Sequence, residues 1–574
     1  MASLRHLSLT LLLLSVTSVV VSSSSSVNDQ LDLTQPSVVL DNATVIGQAN
    51  ETTGTAQYLG IPFAQPPVGN LRLRLPQPVA PYNGTLNATT FGSQCIQQSQ
   101  PNTTLPSSLP SAAAQFLSGG GAQPQTVPQD EDCLNVNVIV PANATAESKL
   151  PVAVWIYGGG FVEGSNSGEP GENVVVRSVE LGHPIIFVSP NYRLNAFGFL
   201  GGKEMKEADV TNLGLHDQRE ALRWVQKYIS AFGGDPNKVM IWGESAGAQS
   251  VALQMVYNNG DPEGLFRAAF MESGAPMPTG YVDNIFLQAT FDQFVADAGC
   301  SGSEDAIACL RNVSTAAFTQ AVNKAPTLSS YKASPLHDDR RCESVNQPWE
   351  PRADGNALSQ PPEHQLLAGK VANVPFVSGN DMDEGTLFSF ANLNVTTDDE
   401  FFDYVSSSFF PDIPRSNITR LLELYPSDPA EGSPFGTGDN FTYTPQYKRM
   451  AALQGDLLFI APRRLLTQTL AGKQAVYSFL GNEHGVEGLG TPHASDLQDV
   501  FGTPGSGHLQ DYLIRFAATL NPNGDGAFEW PRYTNDAPSL LTLNNGEPTL
   551  NVTMDDFRAE AMAYLTGLSL ADPM

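Results

Sequence analysis

Apolar residues follow two alternating patterns along the chain. Short runs of consecutive apolar residues predict strands that are buried on both faces, at 151–157, 185–189, 238–242, 268–271, 374–377 and 475–480. Longer segments, in which apolar residues recur at helical spacing, predict helices at 216–231, 246–257 and 285–298. This alternation predicts an α/β fold with a large, mostly parallel central sheet flanked by helices.

A serine stands at one of the predicted strand ends, where such sheets collect their chemistry. Ser245 lies between Gly243 and Gly247, after the strand at 238–242 and before the helix at 246–257. A sharp strand-to-helix turn exposes the serine Oγ and brings the Ala246 N–H beside it, and it needs glycines where side chains would collide. In a chain with 50 glycines the Gly-x-Ser-x-Gly pattern alone is weak, so the strand–turn–helix context carries the prediction of a nucleophile elbow.

Three glycines, 158–160, follow the strand at 151–157. Without Cβ atoms, their N–H groups can converge on a developing oxyanion. The alternative is a flexible turn, because a second triplet at 119–121 has no such context.

Acid and base candidates follow later strands. In an α/β-hydrolase the nucleophile is followed along the chain first by the acid and then by the histidine. The strand at 374–377 is followed by Asp381, Asp383 and Glu384, which are equal candidates for the acid. The histidines beyond them are His484, His493 and His508, and His493 lies in a loop after the strand at 475–480.

The chain has 574 residues but no internal repeat and no linker that would divide it. We therefore expect a single catalytic domain at 23–574 with long insertions. Residues 1–22 contain Arg5 and then an apolar run that is short for a membrane span, which predicts a cleaved secretory signal and a soluble mature protein. Eleven glycosylation sequons also indicate secretion: Asn42, Asn50, Asn83, Asn87, Asn102, Asn143, Asn312, Asn394, Asn417, Asn440 and Asn551.

Cysteine usage predicts two disulfides, and net charge excludes one class of binding partner. In an oxidising compartment, five cysteines give two disulfides and one leftover thiol. Loop closure favours Cys300–Cys309 as the short bridge and Cys95–Cys133 as the long one, and leaves Cys342 free. The formal charge of −29 repels phosphate backbones and anionic lipid surfaces, so nucleic acid is excluded as a partner.

These motifs together resemble the fungal type-B carboxylesterase and lipase family, which is related to the cholinesterases. Besides the elbow, the resemblance rests on the runs at 131–138, 61–69, 190–193 and 217–219, and it covers almost the whole mature chain. It implies the α/β-hydrolase fold and esterase chemistry, with no metal or cofactor.

The resemblance also implies a role for individual residues. Ser245 is expected to be the nucleophile, Glu384 the acid and His493 the base, and the N–H groups of Gly159, Gly160 and Ala246 are expected to form the oxyanion hole. The same two disulfides are implied, together with a buried ion pair between Arg72 and Glu131. Three positions depart from the family pattern and remove no catalytic group: Tyr157 stands where other branches carry His, Gln65 where relatives often carry Glu, and Pro492 precedes the base.

The segment between Cys95 and Cys133 bears on the substrate. It carries an apolar stripe at helical spacing: Leu105, Leu109, Ala112, Ala113, Phe116 and Leu117. Family lipases place a lid here, so residues 96–132 are the lid candidate, and the alternative is a fixed surface helix. A movable lid favours water-insoluble, long-chain esters.

The expected function is a secreted lipase of broad specificity, acting on acylglycerols and also on sterol or carotenoid esters, at a lipid–water interface. A phenylalanine-rich set either lines an acyl site or packs in the core: Phe388, Phe390, Phe401, Phe402, Phe409 and Phe410. The alternatives are a carboxylesterase for short soluble esters and a catalytically silent binding module. A choline-specific esterase would need a tryptophan near the site, whereas Trp155 and Trp242 lie inside predicted strands. Oligomeric state is left open.

Overall fold

The fold is built on an eleven-stranded sheet with the strand order β14-β13-β12-β11-β10-β9-β7-β8-β6-β4-β3. It is seen in a computed structural model that describes residues 35–100, 105–118, 127–327 and 347–574. The strands are β1 (Ser37–Leu40), β2 (Asn42–Ile46), β3 (Gln48–Asn50), β4 (Thr55–Pro62), β5 (Asn83–Asn87), β6 (Asn135–Pro141), β7 (Leu150–Ile156), β8 (Ile186–Pro190), β9 (Gly234–Glu244), β10 (Ala268–Glu272), β11 (Phe376–Asp381), β12 (Val476–Asn482), β13 (Ser539–Asn544) and β14 (Leu550–Met554). Neighbours from β8 through β13 run parallel, and both edges are antiparallel. Strands β1, β2 and β5 form a separate small sheet.

Helices connect the strands and cover the sheet. They are α1 (Ser111–Leu117), α2 (Gly171–Glu180), α3 (Asn195–Phe199), α4 (Lys203–Glu207), α5 (Leu213–Tyr228), α6 (Ala246–Gly260), α7 (Ile285–Asp297), α8 (Ala306–Asn312), α9 (Thr315–Val322), α10 (Pro362–Leu367), α11 (Asp398–Ser408), α12 (Arg415–Leu424), α13 (Tyr447–Gly455), α14 (Ala461–Leu470), α15 (Leu497–Phe501), α16 (His508–Thr519) and α17 (Ala559–Ala571). Short 3₁₀ turns lie at Gly69–Leu71, Ile229–Phe232, Phe388–Asn392 and Pro429–Glu431, and a π turn at Asp456–Ile460 joins α13 to α14.

The predicted α/β fold is confirmed, because each predicted strand overlaps one of the strands β7 to β12 and the three predicted helices overlap α5, α6 and α7. The apolar runs did not indicate the antiparallel edges. Strand β14, for example, has an alternating and partly exposed burial pattern, so it carries no continuous apolar run.

The core is divided into three hydrophobic clusters. The main cluster fills both faces of the sheet and includes Trp155 and Trp242, whose rings lie 4.5 Å apart. A second cluster, under α11 to α14 and α17, buries four members of the phenylalanine-rich set: Phe401, Phe402, Phe409 and Phe410. A third and much smaller cluster contains Ala113 of α1 together with Phe390, Tyr447 and Leu489. Helix α1 therefore packs on a cluster that is separate from the main core.

The predicted stripe on α1 is wrong at one position. Ala112 is exposed, whereas Ala113 is fully buried and Phe116 and Leu117 are half-buried. The helix is only seven residues long and presents a narrow face to its partners, so neighbouring alanines fall on different sides of it.

Covalent and ionic links fix the segment around α1. The expected disulfides Cys95–Cys133 and Cys300–Cys309 are both present. The expected ion pair is also confirmed: Arg72 donates from Nε to Glu131 Oε2 at 2.7 Å and from Nη2 to Oε1 at 2.5 Å, with both side chains buried. The Cys95–Cys133 bridge joins the two ends of the lid candidate, and the ion pair holds its C-terminal end at Glu131.

Several sequence predictions concern residues outside the described part of the chain: the signal sequence at 1–22, Asn102, Cys342 and the glycines at 119–121. Of the other sequons, seven asparagines are exposed, namely Asn42, Asn83, Asn87, Asn143, Asn312, Asn394 and Asn440, and three are half-buried, namely Asn50, Asn417 and Asn551. Within the described residues no helix combines the length and apolar character that a membrane span requires.

Candidate active site

Ser245 occupies a strained turn between β9 and α6. Its φ and ψ are 54° and −127°, a combination that side chains rarely adopt, and its N–H donates to the carbonyl of Glu272 at 2.9 Å. A Cβ on Gly247 would lie 1.9 Å from the carbonyl oxygen of Ile156, and one on Gly243 would lie 2.5 Å from the backbone of Gly247. The two glycines therefore allow the close packing that the elbow requires.

His493 connects Ser245 to Glu384. Its Nε2 lies 2.7 Å from Ser245 Oγ, and its Nδ1 lies 2.6 Å from Glu384 Oε2. The three side chains are thus within hydrogen-bonding distance in series. Of the other candidate histidines, His508 is exposed and His484 is half-buried just after β12. Neither forms a hydrogen bond with Ser245 in the described structure.

Of the three carboxylates after β11, only Glu384 reaches the imidazole. Its second oxygen, Oε1, accepts hydrogen bonds from Asn380 Nδ2 at 3.0 Å and from the Asp381 N–H at 2.9 Å. Asp383 instead accepts from the Ser433 hydroxyl and from the N–H groups of Phe435 and Thr491. The geometry therefore singles out one of the three candidates that the residues alone left equal.

The loop that carries His493, residues 483–496, joins β12 to α15; we call it the histidine loop. Asp381 and Asp383, which do not contact the His493 imidazole, hold this loop in place. Asp383 binds the Thr491 N–H at 3.0 Å, and Asp381 accepts from the Ser495 N–H at 2.9 Å. Pro492 has no N–H to donate, so the hydrogen bonds come from its neighbours.

The glycines after β7 lie directly against the elbow. A Cβ on Gly158 would stand 2.9 Å from the Cβ of Ser245, and one on Gly159 would stand 2.4 Å from the carbonyl oxygen of Glu163. Gly159 and Gly160 have φ values of 96° and 58°. Ala246 is the first residue of α6, so its N–H has no acceptor within the helix. Gly158 and Ala246 therefore lie directly beside Ser245, and Gly159 and Gly160 follow Gly158 in the same turn.

Two features of the site were not found from the sequence. Glu244 Oε1 lies 3.2 Å from His493 Nε2 but forms no hydrogen bond with it, because that nitrogen is directed at Ser245. The rings of Phe388 and Phe459 lie 5.2 and 4.5 Å from the imidazole. Both contacts join residues far apart in the chain, so no local sequence pattern predicts them. Only Glu244 stands at a position, directly before the nucleophile, that the sequence could have singled out.

Buried carboxyl groups surround the site. Burial, followed by the charge of neighbouring carboxylates, raises the pKa values of four of them well above the usual range: Glu244, Glu272, Asp381 and Asp496. Burial and the charge of Asp499 raise the pKa of Glu483 to about 8. Farther away, burial alone raises the pKa of Glu363 on α10 to about 8. The folded protein therefore holds protons that the unfolded chain releases.

This proton uptake predicts that stability falls as pH rises. For a carboxyl whose pKa is raised by folding, the stabilisation is complete below the unfolded pKa of about 4 and is lost as pH increases to the folded value of about 8. We expect Tm to be several degrees lower at pH 8 than at pH 5, measured by calorimetry in buffers of constant ionic strength. Glu363→Gln removes one such group away from the site and is expected to flatten the profile. A Tm that rises over this range would contradict the assignment of protonated buried carboxyls.

Comparisons with known proteins show which family the chain resembles. The Carboxylesterase family profile matches residues 34–562. The chain is 41% identical to Lipase 4 of Diutina rugosa, over 89% of this chain and 92% of the relative. It is 36% identical to a secreted triacylglycerol lipase of Gibberella zeae, over 92% and 89% of the two chains.

A solved structure gives the same result at the level of the fold. The crystal structure of EstA from Aspergillus niger superposes with a TM-score of 0.77 and 28% identity, covering 94% of this chain and 99% of that one. The fold, the extent of the family match and the identities leave one assignment: this chain is a carboxylic ester hydrolase that belongs to the carboxylesterase family.

Proposed function

We propose that the protein is a secreted serine lipase that hydrolyses long-chain acylglycerols through an acyl-enzyme. The observation that carries the proposal is the hydrogen-bonded series Ser245–His493–Glu384, with separations of 2.7 and 2.6 Å. Two relatives are named as lipases, and one of them is named as a secreted triacylglycerol lipase, which supports the substrate class and the extracellular location.

The reaction begins at Ser245. His493 Nε2 takes the hydroxyl proton as Oγ attacks the ester carbonyl, and the imidazolium then protonates the departing alcohol. Glu384 accepts the Nδ1–H of the ring, which keeps the Nε2 lone pair directed at Oγ and stabilises the charged ring. Water then attacks the acyl-enzyme by the same steps and releases the fatty acid.

The negative charge that develops on the carbonyl oxygen needs donors near Oγ. The N–H groups of Gly159, Gly160 and Ala246 are the proposed donors, since the glycine loop and the first turn of α6 both adjoin Ser245. In other serine hydrolases the loss of one such donor costs about 100- to 1000-fold in kcat.

The lid candidate, residues 96–132, supports action on lipids. Its helix α1 packs on the small third cluster, which includes Val486 and Leu489 of the histidine loop. Phe116 and Leu117 remain half-exposed, so apolar surface on α1 is available to an acyl chain or a lipid surface. The Cys95–Cys133 disulfide closes the base of the segment, and we propose that α1 moves as a tethered lid.

Emulsified triolein and p-nitrophenyl butyrate distinguish a lipase from an esterase for short esters. We expect triolein hydrolysis to rise sharply above the solubility limit of the substrate. Phe116→Ser is expected to lower the triolein rate about tenfold, because burying a phenylalanine contributes about 1.5–3 kcal/mol. Hydrolysis of p-nitrophenyl butyrate should change little, since a short soluble ester gains no such contact.

Gln115→Ser is the matched control, because Gln115 is exposed on the same helix and offers no apolar surface. It is expected to leave both rates unchanged. A strong preference of the unaltered enzyme for the short ester would overturn the lipase assignment and leave a carboxylesterase. Equal losses on both substrates in Phe116→Ser would instead contradict the lid role.

A further inference from the structure

A group of potential metal ligands lies at the base of the histidine loop, outside the proposed triad. Glu483 and His484 are the first two residues of the loop, and Asp499 lies in α15 just after the loop ends. One nitrogen or oxygen atom from each of the three lies within 4.8 Å of the others, and His484 Nε2 is 3.9 Å from Glu483 Oε1. The group therefore bridges the two ends of the loop that carries His493.

The carboxyl groups of Glu483 and Asp499 face each other here. Asp499 is 1% exposed, and its Oδ2 accepts the Leu509 N–H at 2.5 Å. Its Oδ1 is buried and receives no N–H, and the group that this carboxyl meets is the Glu483 carboxyl. His484 Nε2 is likewise buried and has no hydrogen-bond partner in the described structure. A buried carboxylate without a partner is costly, so facing carboxyl groups must share a proton or a cation.

A further buried carboxyl group, that of Asp496, lies beside these ligands. Asp496 is 4% exposed, and within the described residues no side chain donates to its carboxyl group, which has only the N–H groups of Asp496 and Leu497 close to it. No lysine or arginine of the described chain forms an ion pair with Glu483, Asp496 or Asp499, although His484 and His508 lie near Asp499.

We propose that Glu483, His484 and Asp499 bind a divalent cation. One imidazole with two carboxylates suits Zn²⁺ or Mn²⁺ better than Ca²⁺, which takes oxygen ligands. Zinc bonds of about 2.0–2.2 Å place tetrahedral ligand atoms roughly 3.4 Å apart. The ligand atoms of the three side chains lie within 4.8 Å of one another, so modest side-chain rotations bring them to that spacing. Glu483 and His484 are half-buried, which leaves a path from solvent.

The cation has a positioning role and takes no part in bond breaking. It ties the end of β12 to α15, and between these two elements the histidine loop presents His493 to Ser245. Since the ion binds the folded state alone, it stabilises that state by mass action. The inference does not rest on the proposed function, because binding is measured without an ester substrate.

The test uses the full-length, untagged enzyme stripped with EDTA and titrated at pH 7.5 by calorimetry with Zn²⁺, Mn²⁺ and Ca²⁺ in turn. We expect one Zn²⁺ per chain and a Tm increase of a few degrees at about 100 times Kd. His484→Gln and Asp499→Asn should each weaken binding at least tenfold, and Asp499→Asn keeps an acceptor for Leu509. The matched control is His508→Gln, since His508 is exposed and outside the ligand group.

A spectrum keeps the test decisive if a variant does not fold. Co²⁺ added to the unaltered enzyme should give the visible absorption of a nitrogen- and oxygen-ligated ion of low coordination number. Three outcomes would overturn the proposal: no bound metal ion by calorimetry and metal analysis, full binding in both ligand variants, or a Co²⁺ spectrum no stronger than that of the hydrated ion. The last two would indicate non-specific binding to the acidic surface.

Discussion

Ser245→Ala is expected to lower kcat for ester hydrolysis by about 10⁶-fold, the scale seen when the nucleophile of a serine hydrolase is removed. The physical reason is that no other hydroxyl lies within hydrogen-bonding distance of His493 Nε2 in the described structure, so the base loses the only proton it is placed to take. The measurement is kcat and KM for p-nitrophenyl butyrate, together with covalent labelling of the enzyme by a fluorophosphonate.

A second serine provides a close control for this variant. Ser273 follows β10, the strand next to β9, and it is buried with a φ of 55°, almost the 54° of Ser245. Ser273→Ala is expected to retain labelling and to lose less than about tenfold in kcat, because its hydroxyl has no bond to His493. If Ser245→Ala still labels, or if the unaltered enzyme does not label, the nucleophile assignment is wrong and a catalytically silent module becomes the better account.

The elbow could be predicted from the sequence because its determinants are local. A strand, a serine between two glycines and the start of a helix occupy 14 residues, from 234 to 247, and the close contact of Gly247 with the Ile156 carbonyl explains the second glycine. The glycine loop after β7 is equally local. Both motifs depend on backbone conformation, which the chemistry of neighbouring residues largely determines.

The remaining parts of the site depend on contacts across the sheet. The residues alone left Asp381, Asp383 and Glu384 equal, because all three follow the same strand end. What separates them is the register of β11 against β12 and the course of the histidine loop, which direct Asp381 and Asp383 to backbone N–H groups and Glu384 to the imidazole. Periodicity carries no information on such pairings, and the family resemblance was needed to choose among them.

The same reasoning explains the features that were missed. His484 was noted only as a candidate base, and its closeness to Asp499 follows from how the histidine loop returns to α15. The sequence allows Phe388 as either core or acyl-site lining, and the structure places its half-buried ring 5.5 Å from the Phe459 ring and 5.2 Å from the imidazole of the proposed base. The burial of polar and aromatic groups around one loop is a tertiary property, so it became visible only in the structure.

Glu384→Gln is expected to lower kcat by about 10⁴-fold with little change in KM, by analogy with the loss of the orienting carboxylate in other serine hydrolases. A neutral amide can offer its N–H₂ to the ring, which stabilises the tautomer whose Nε2 already carries a proton and therefore cannot accept one from Ser245. Glu384→Asp keeps the charge but shortens the reach to His493, now 2.6 Å, so its kcat should lie between those of Glu384→Gln and the unaltered enzyme.

Asp383→Asn is the control, because that carboxyl binds Ser433, Phe435 and Thr491 without touching the imidazole. We expect it to stay within about tenfold of the unaltered enzyme. A larger loss of kcat in Asp383→Asn than in Glu384→Gln would move the acid to position 383 and refute the proposed series.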